Sequence, residues 1–120
     1  MAAVTLNHFV IVFLGGGVGA VLRWLLTLGV SNSSGKNWLG TLAVNLIGCF
    51  IFFLIARFFK DIEPSYDLLI KTGILGSLTT FSTFAFDVVF LFKQGMVKEA
   101  LLALGLNVFF GIVIGIGILR

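Results

Sequence analysis

With 120 residues, 59% of them hydrophobic and only 11% charged, the chain lies far from the composition of a soluble domain, in which about a quarter of residues carry charge. A mean hydropathy of +1.17 and a formal net charge of +3 without a basic block point to a membrane protein and away from a nucleic-acid partner. The single cysteine, Cys49, rules out an intrachain disulfide, and the single histidine, His8, stands apart from any Cys/His cluster that would hold a transition metal.

Four apolar runs follow one another as one domain, residues 1–120, at about 9–30, 38–59, 68–92 and 97–119. Each has the roughly 20 residues that a ~30 Å hydrocarbon core requires of a helix. The expected fold is therefore all-α, with four transmembrane helices and both termini on one side.

The first run, Phe9–Val30, is too long for the apolar region of a signal peptide, and Met1–His8 carries no Lys or Arg. It reads as a retained membrane helix. Gly15 and Gly19 form a Gly-x-x-x-Gly pair suited to close helix packing. Arg23 lies about four residues past the centre of this run, roughly 6 Å from the midplane, where an arginine costs about 2.5–3.5 kcal/mol. Two readings stand: the side chain snorkels to the interface, or it lines an aqueous vestibule that attracts anions.

In the second run, Trp38–Phe59, residues Thr41, Asn45 and Gly48 share one helix face. Asn45 falls near mid-depth, where its amide, with two N–H donors, requires a partner. An interhelical hydrogen bond and a place on a polar path both satisfy that requirement.

The third run, Leu68–Phe92, is the least suited to lipid. Gly73 to Phe84 holds two glycines, five hydroxyl residues and two phenylalanines. Backbone polar groups are tolerated at that depth only where protein or a water-filled cavity satisfies them, so the stretch reads as a buried polar site or a permeation path. Gly73 and Gly76 loosen the backbone, and a break over Gly76–Thr79 with unpaired carbonyls is expected. Thr80, Thr83 and Asp87 share a face, with Phe81 and Phe84 alongside. A phenylalanine edge is electropositive and can favour a small anion without a full charge; packing is the plain alternative. The fourth run, Val97–Leu119, places Asn107 near its centre and repeats the glycine spacing at Gly111 and Gly115.

Orientation is nearly undetermined. Arg57, Lys60, Lys71 and Arg120 fall on the side of the termini, and Lys36, Lys93 and Lys98 fall opposite. Orientation follows Lys/Arg excess, so this balance predicts insertion both ways and head-to-tail pairing. Four short helices with short joints can hardly enclose a path alone. Chemistry follows from what the spans lack. They hold no glutamate at membrane depth, Glu99 falling at the very start of the fourth run; Asp87 is their one acidic residue at that depth, and no nucleophile or metal constellation appears. An enzyme is not expected. Neutral donors, ring edges and one arginine suit an anion, because conduction requires binding weak enough to release.

Three stretches carry a resemblance. Gly-Ala-Val-Leu-Arg-Trp (19–24), Gly-Thr-Leu-Ala-Val-Asn-Leu-Ile-Gly (40–48) and Gly-Ser-Leu-Thr-Thr-Phe-Ser-Thr-Phe (76–84) make the chain similar, over nearly its whole length, to the Fluc family of bacterial fluoride channels. The resemblance implies an antiparallel, dual-topology homodimer in the plasma or inner membrane, with a broken third helix in each subunit. It implies two pores that export cytoplasmic fluoride by passive electrodiffusion. It also implies a structural Na+ at the dimer centre, held by main-chain carbonyls of Gly76 and Thr79 from each subunit. The fluoride path it implies matches Asn45, Thr80, Phe81, Ser82 and Phe84, with Asn107 offered by the fourth span and Arg23 at the vestibule. The fourth span departs from the family in having glycine and aliphatics where hydroxyls are frequent, and Asp87 stands where many relatives carry glutamate. The rival reading is a small dual-topology, proton-coupled cation or multidrug exporter, disfavoured by the missing intramembrane glutamate.

Overall fold

The computed structural model describes residues 3–120, and every regular element among them is helical. Four helical stretches are long and apolar enough to cross a membrane: Leu6–Ser34, Asn37–Phe58, Pro64–Lys93 and Val97–Leu119. They match the four apolar runs, with altered ends that have local causes.

Helix α1, Leu6–Ser34, begins where Thr5 and His8 cap each other across the first turn. It runs four residues past Val30 because Ser33 and Ser34 donate their hydroxyls back to the carbonyls of Gly29 and Val30, at 2.8 and 2.7 Å. It stops at Gly35, whose φ of 70° is open to a residue without Cβ. The expected Ser31–Asn37 joint is thus only Gly35 and Lys36, and α2 spans Asn37–Phe58.

The third span starts at Pro64 rather than Leu68. Proline suits the first helical position, and the Glu63 carboxylate accepts from the Ser65 amide at 3.2 Å. After the short α3, Pro64–Asp67, residues Leu68–Leu75 wind as a π-helix, and α4 covers Gly76–Leu78. Thr79 (φ −81°, ψ 152°) and Thr80 (φ −147°, ψ 117°) are extended. Helix α5, Phe81–Lys93, then opens with the Thr80 side chain accepting from the Thr83 amide. The extended residues lie C-terminal to most of the Gly76–Thr79 stretch named from sequence, since Gly76, Ser77 and Leu78 remain helical. Gly95, with φ 75°, turns the chain into α6, Val97–Leu119.

Short joints make successive crossings antiparallel, so α2 and α6 run in the same direction. Helix α1 buries only Gly15 and Gly19 and packs on α2 and on the π-helical part of the third span. A Cβ on Gly15 would sit 2.7 Å from the Leu69 carbonyl oxygen and 3.0 Å from Gly73 Cα, and one on Gly19 would collide with the Ile74 carbonyl. The glycine pair is therefore a backbone-to-backbone contact. Gly115 likewise accepts the Phe53 ring, and Gly48 the Thr79 methyl group. Two clusters form the core. Trp38, Leu91, Ala100 and Ala103 fill one end, and Val44, Leu75 and Leu78 fill the middle. The phenylalanines and leucines of α1 are largely exposed along its outer faces, as a lipid-facing helix requires.

Candidate functional site

The extended backbone at Thr79 and Thr80 creates a hydrogen-bonding debt at mid-depth, and Asn45 of α2 settles it. Its Oδ1 accepts from the Thr80 amide at 2.7 Å, while its Nδ2 donates to the Thr80 carbonyl at 3.1 Å. This two-point clasp fixes which end of the amide is oxygen. The second Nδ2 hydrogen goes to Asn107 Oδ1 at 2.9 Å, and Asn107 Nδ2 in turn donates to the Ala103 carbonyl at 2.8 Å. An amide nitrogen has two hydrogens. Asn45 has spent both, whereas Asn107 keeps one.

Around these groups lies a cleft of about 300 Å³ lined by Asn45, Cys49, Thr79, Thr80, Phe81, Phe84, Asn107 and Val108. The Phe81 and Phe84 rings meet edge to face, with centroids 5.6 Å apart and planes at 64°. Phe84 is buried, but Phe81 is 78% exposed, so within one chain the cleft is an open groove. Thr80 is buried and donates to Thr83 Oγ1 at 3.1 Å, with Ser82 Oγ 3.5 Å away. Toward the Gly35 end, buried Thr41 donates to Asp87 Oδ2 at 2.6 Å. No lysine or arginine lines the cleft.

A smaller neighbouring cleft of about 220 Å³ includes Gly48, Phe52, Lys71, Gly76 and Thr79 in its wall. In an unbroken α-helix the Gly76 carbonyl would accept from the Thr80 amide and the Thr79 carbonyl from the Thr83 amide. Both donors are diverted, one to Asn45 Oδ1 and the other to Thr80 Oγ1. Two main-chain oxygens are thereby left without their helical partners.

The structure brings Asn45, Thr80, Phe81, Phe84 and Asn107 to one cleft, with Ser82 beside Thr80 and Thr79 shared with the second cleft. It does not bring Arg23 there. That residue is half-buried on α1, which packs on α2 and the first part of the third span, and it makes no ion pair among the described residues. Three contacts escaped the sequence reading. Trp38 Nε1 donates to Glu99 Oε2 at 2.8 Å, Lys36 Nζ lies 2.9 Å from Glu99 Oε1, and Arg57 donates to the Ile118 carbonyl at the end of α6. The Lys36–Glu99 pairing spans 63 residues, and no periodicity announces it.

Four apolar crossings, three of which line a cleft of uncharged donors, define a small multi-pass membrane protein. The chain belongs to the family described as CrcB-like protein, Camphor Resistance (CrcB), whose model matches residues 10–118. It is 46% identical over 105 residues to the Yersinia pestis protein named fluoride-specific ion channel FluC 1, covering 85% of this chain and 83% of that one. Proteins named fluoride-specific ion channel FluC from Serratia proteamaculans and Klebsiella pneumoniae are 44% and 46% identical. These matches cover 85% and 80% of this chain, and 83% and 78% of those proteins.

Proposed function

We propose that this chain is a fluoride channel of the cell membrane, a conduit and not an enzyme, and that the anion passes along the cleft between α2, α5 and α6. The observation that carries the reading is the amide relay. Asn45 uses its amide inside the protein, holding the extended backbone at Thr80 and donating to Asn107, and Asn107 keeps one N–H in the cleft that Phe81 and Phe84 also line. A small dehydrating anion meets neutral donors and ring edges there, with Ser82 and Thr80 hydroxyls adjoining, and meets no cation that would hold it too long. Fluoride crosses bilayers as neutral HF and dissociates inside, so a passive leak suffices for export. Each 100 mV of inside-negative potential favours anion exit by about 2.3 kcal/mol. The exporter reading loses its support, since the relatives above are named as fluoride channels.

The open groove and the 78% exposure of Phe81 support a second copy closing the cleft. The near-balanced Lys/Arg tally of four against three supports that copy running antiparallel. The same dimer would carry two paths, each entered past an arginine such as Arg23. Extended Thr79 and Thr80 break the third helix, and the Gly76 and Thr79 carbonyls, deprived of their helical donors, fit a hard monovalent cation. With two oxygens from each subunit they would hold Na+ at the centre, where its charge offsets converging carbonyl dipoles. The deciding experiment is ion efflux from liposomes holding the purified protein. Fluoride is expected to leave rapidly and chloride to stay; retention of fluoride would end the channel reading.

A further inference from the structure

Parallel helices laid side by side gain nothing from their dipoles and can slide along their common axis unless something sets the offset. Helices α2 and α6 share hydrogen bonds at three depths, and the Phe53 ring seated against Gly115 adds an apolar interlock toward their ends. Glu99 takes Trp38 Nε1 and Lys36 Nζ at 2.8 and 2.9 Å where both helices begin, Asn45 meets Asn107 at 2.9 Å in the middle, and Arg57 reaches the Ile118 carbonyl where both end. The first two ties are seven residues apart on α2 (Trp38 to Asn45) and eight apart on α6 (Glu99 to Asn107), about 10 and 12 Å of rise. The first tie is the stiffest. Trp38 is 7% exposed and wedged against Leu91, Ala100 and Ala103, so its indole cannot follow a sliding carboxylate. Ala100 and Ala103, fully buried, allow α2 to come close there without a bulky side chain that would set the offset by itself.

We propose that Glu99 is a positioning residue of the pore: by accepting from Trp38 and Lys36 it sets the offset of α6 on α2, and so places the spare amide hydrogen of Asn107 at the cleft. Glu99 does not line that cleft; it acts through Asn107. The inference rests on the fluoride-path reading given above.

The test measures fluoride efflux from liposomes with the full-length protein. Glu99→Ala is expected to assemble and to lose about tenfold in flux, which is about 1.4 kcal/mol on the barrier. Glu99→Gln keeps an oxygen for the indole N–H and is expected to restore most of the loss. In an Asn107→Ala background, Glu99→Ala should change flux by no more than about twofold, because contributions that act through one group do not add. A general weakening of the fold would instead give independent, additive losses. Wild-type flux in Glu99→Ala, or full additivity with Asn107→Ala, overturns the proposal. If Glu99→Ala does not assemble, Trp38→Phe, alone and with Asn107→Ala, decides by the same comparison. Absence of fluoride flux from the wild-type protein would strike the channel reading itself, a separate outcome from a conducting channel indifferent to Glu99.

Discussion

The two halves of this molecule are held together by different forces. Helix α1 meets the π-helical segment through glycine, with Gly15 against Leu69 and Gly73 and Gly19 against Ile74; no side-chain hydrogen bond joins these two elements among the described residues. Helices α2, α5 and α6 meet through Thr41–Asp87, Asn45–Thr80, Asn45–Asn107 and the Glu99 clamp. In lipid, apolar side chains gain little by turning inward, so association relies on close backbone contact or on hydrogen bonds, the latter worth only about 0.6 kcal/mol on average. The glycine seam is thus the frame. The bonded seam, weaker bond by bond, is where direction and specificity reside.

That contrast breaks most completely at Gly19. Gly19→Val drives a side chain into the Ile74 carbonyl, and backbone cannot step aside as a flexible side chain can. A penalty at or above about 3 kcal/mol is expected, read as loss of folded protein on size exclusion. Next in size is Asn45→Ala. It strands the Thr80 N–H and C=O at mid-depth, so stability falls by about 1–3 kcal/mol and flux falls with it. Melting in detergent that matches the wild type would show that other groups, or water, satisfy Thr80. Phe81→Leu and Phe84→Leu separate the halves more cleanly. Leucine retains apolar bulk but has no ring edge, so normal assembly with fluoride flux at least tenfold lower is expected, about 1.4 kcal/mol on the barrier. Wild-type flux would assign both rings to packing. Smallest is Gly17→Ala. Nothing lies within 4 Å of a Cβ there, and the change should stabilise α1 by under about 1 kcal/mol; thermal melts would register a small rise where Gly19 gives collapse.

Much of this architecture was legible from residues alone. Hydropathy located the spans, since lipid leaves few other uses for such runs, and the glycine spacing on α1 marked its packing face. The helix ends were less legible. They depend on Ser33 and Ser34 bonding backward and on Pro64 starting a turn, choices that apolar run length does not encode. The polar residues of the candidate site were conspicuous because lipid makes them costly, but their partners were not. Asn45 offered two donors from sequence, and only the geometry shows that both are used inside the protein. Trp38 stands in the sequence only as the first residue of the second apolar run, yet it is buried and bonded to Glu99. The π-helix at Leu68–Leu75 left no signal in an ordinary apolar string.

That π-helix makes the third span sensitive to length in a way its composition conceals. Its i→i+5 bonding accommodates more residues per turn than an α-helix does. Its eight residues turn the chain about as far as seven would in an α-helix, where each advances it by about 100°. Deleting one residue between Leu68 and Leu75 would therefore let the segment rewind as α with everything downstream close to its present phase. Inserting one more residue has no such outlet: Thr80 would turn away from Asn45, and the phenylalanine pair would leave the groove it shares with Asn107. A conservative exchange of one aliphatic residue for another in this run should pass almost unnoticed, while a single-residue insertion would put the whole polar stretch out of phase.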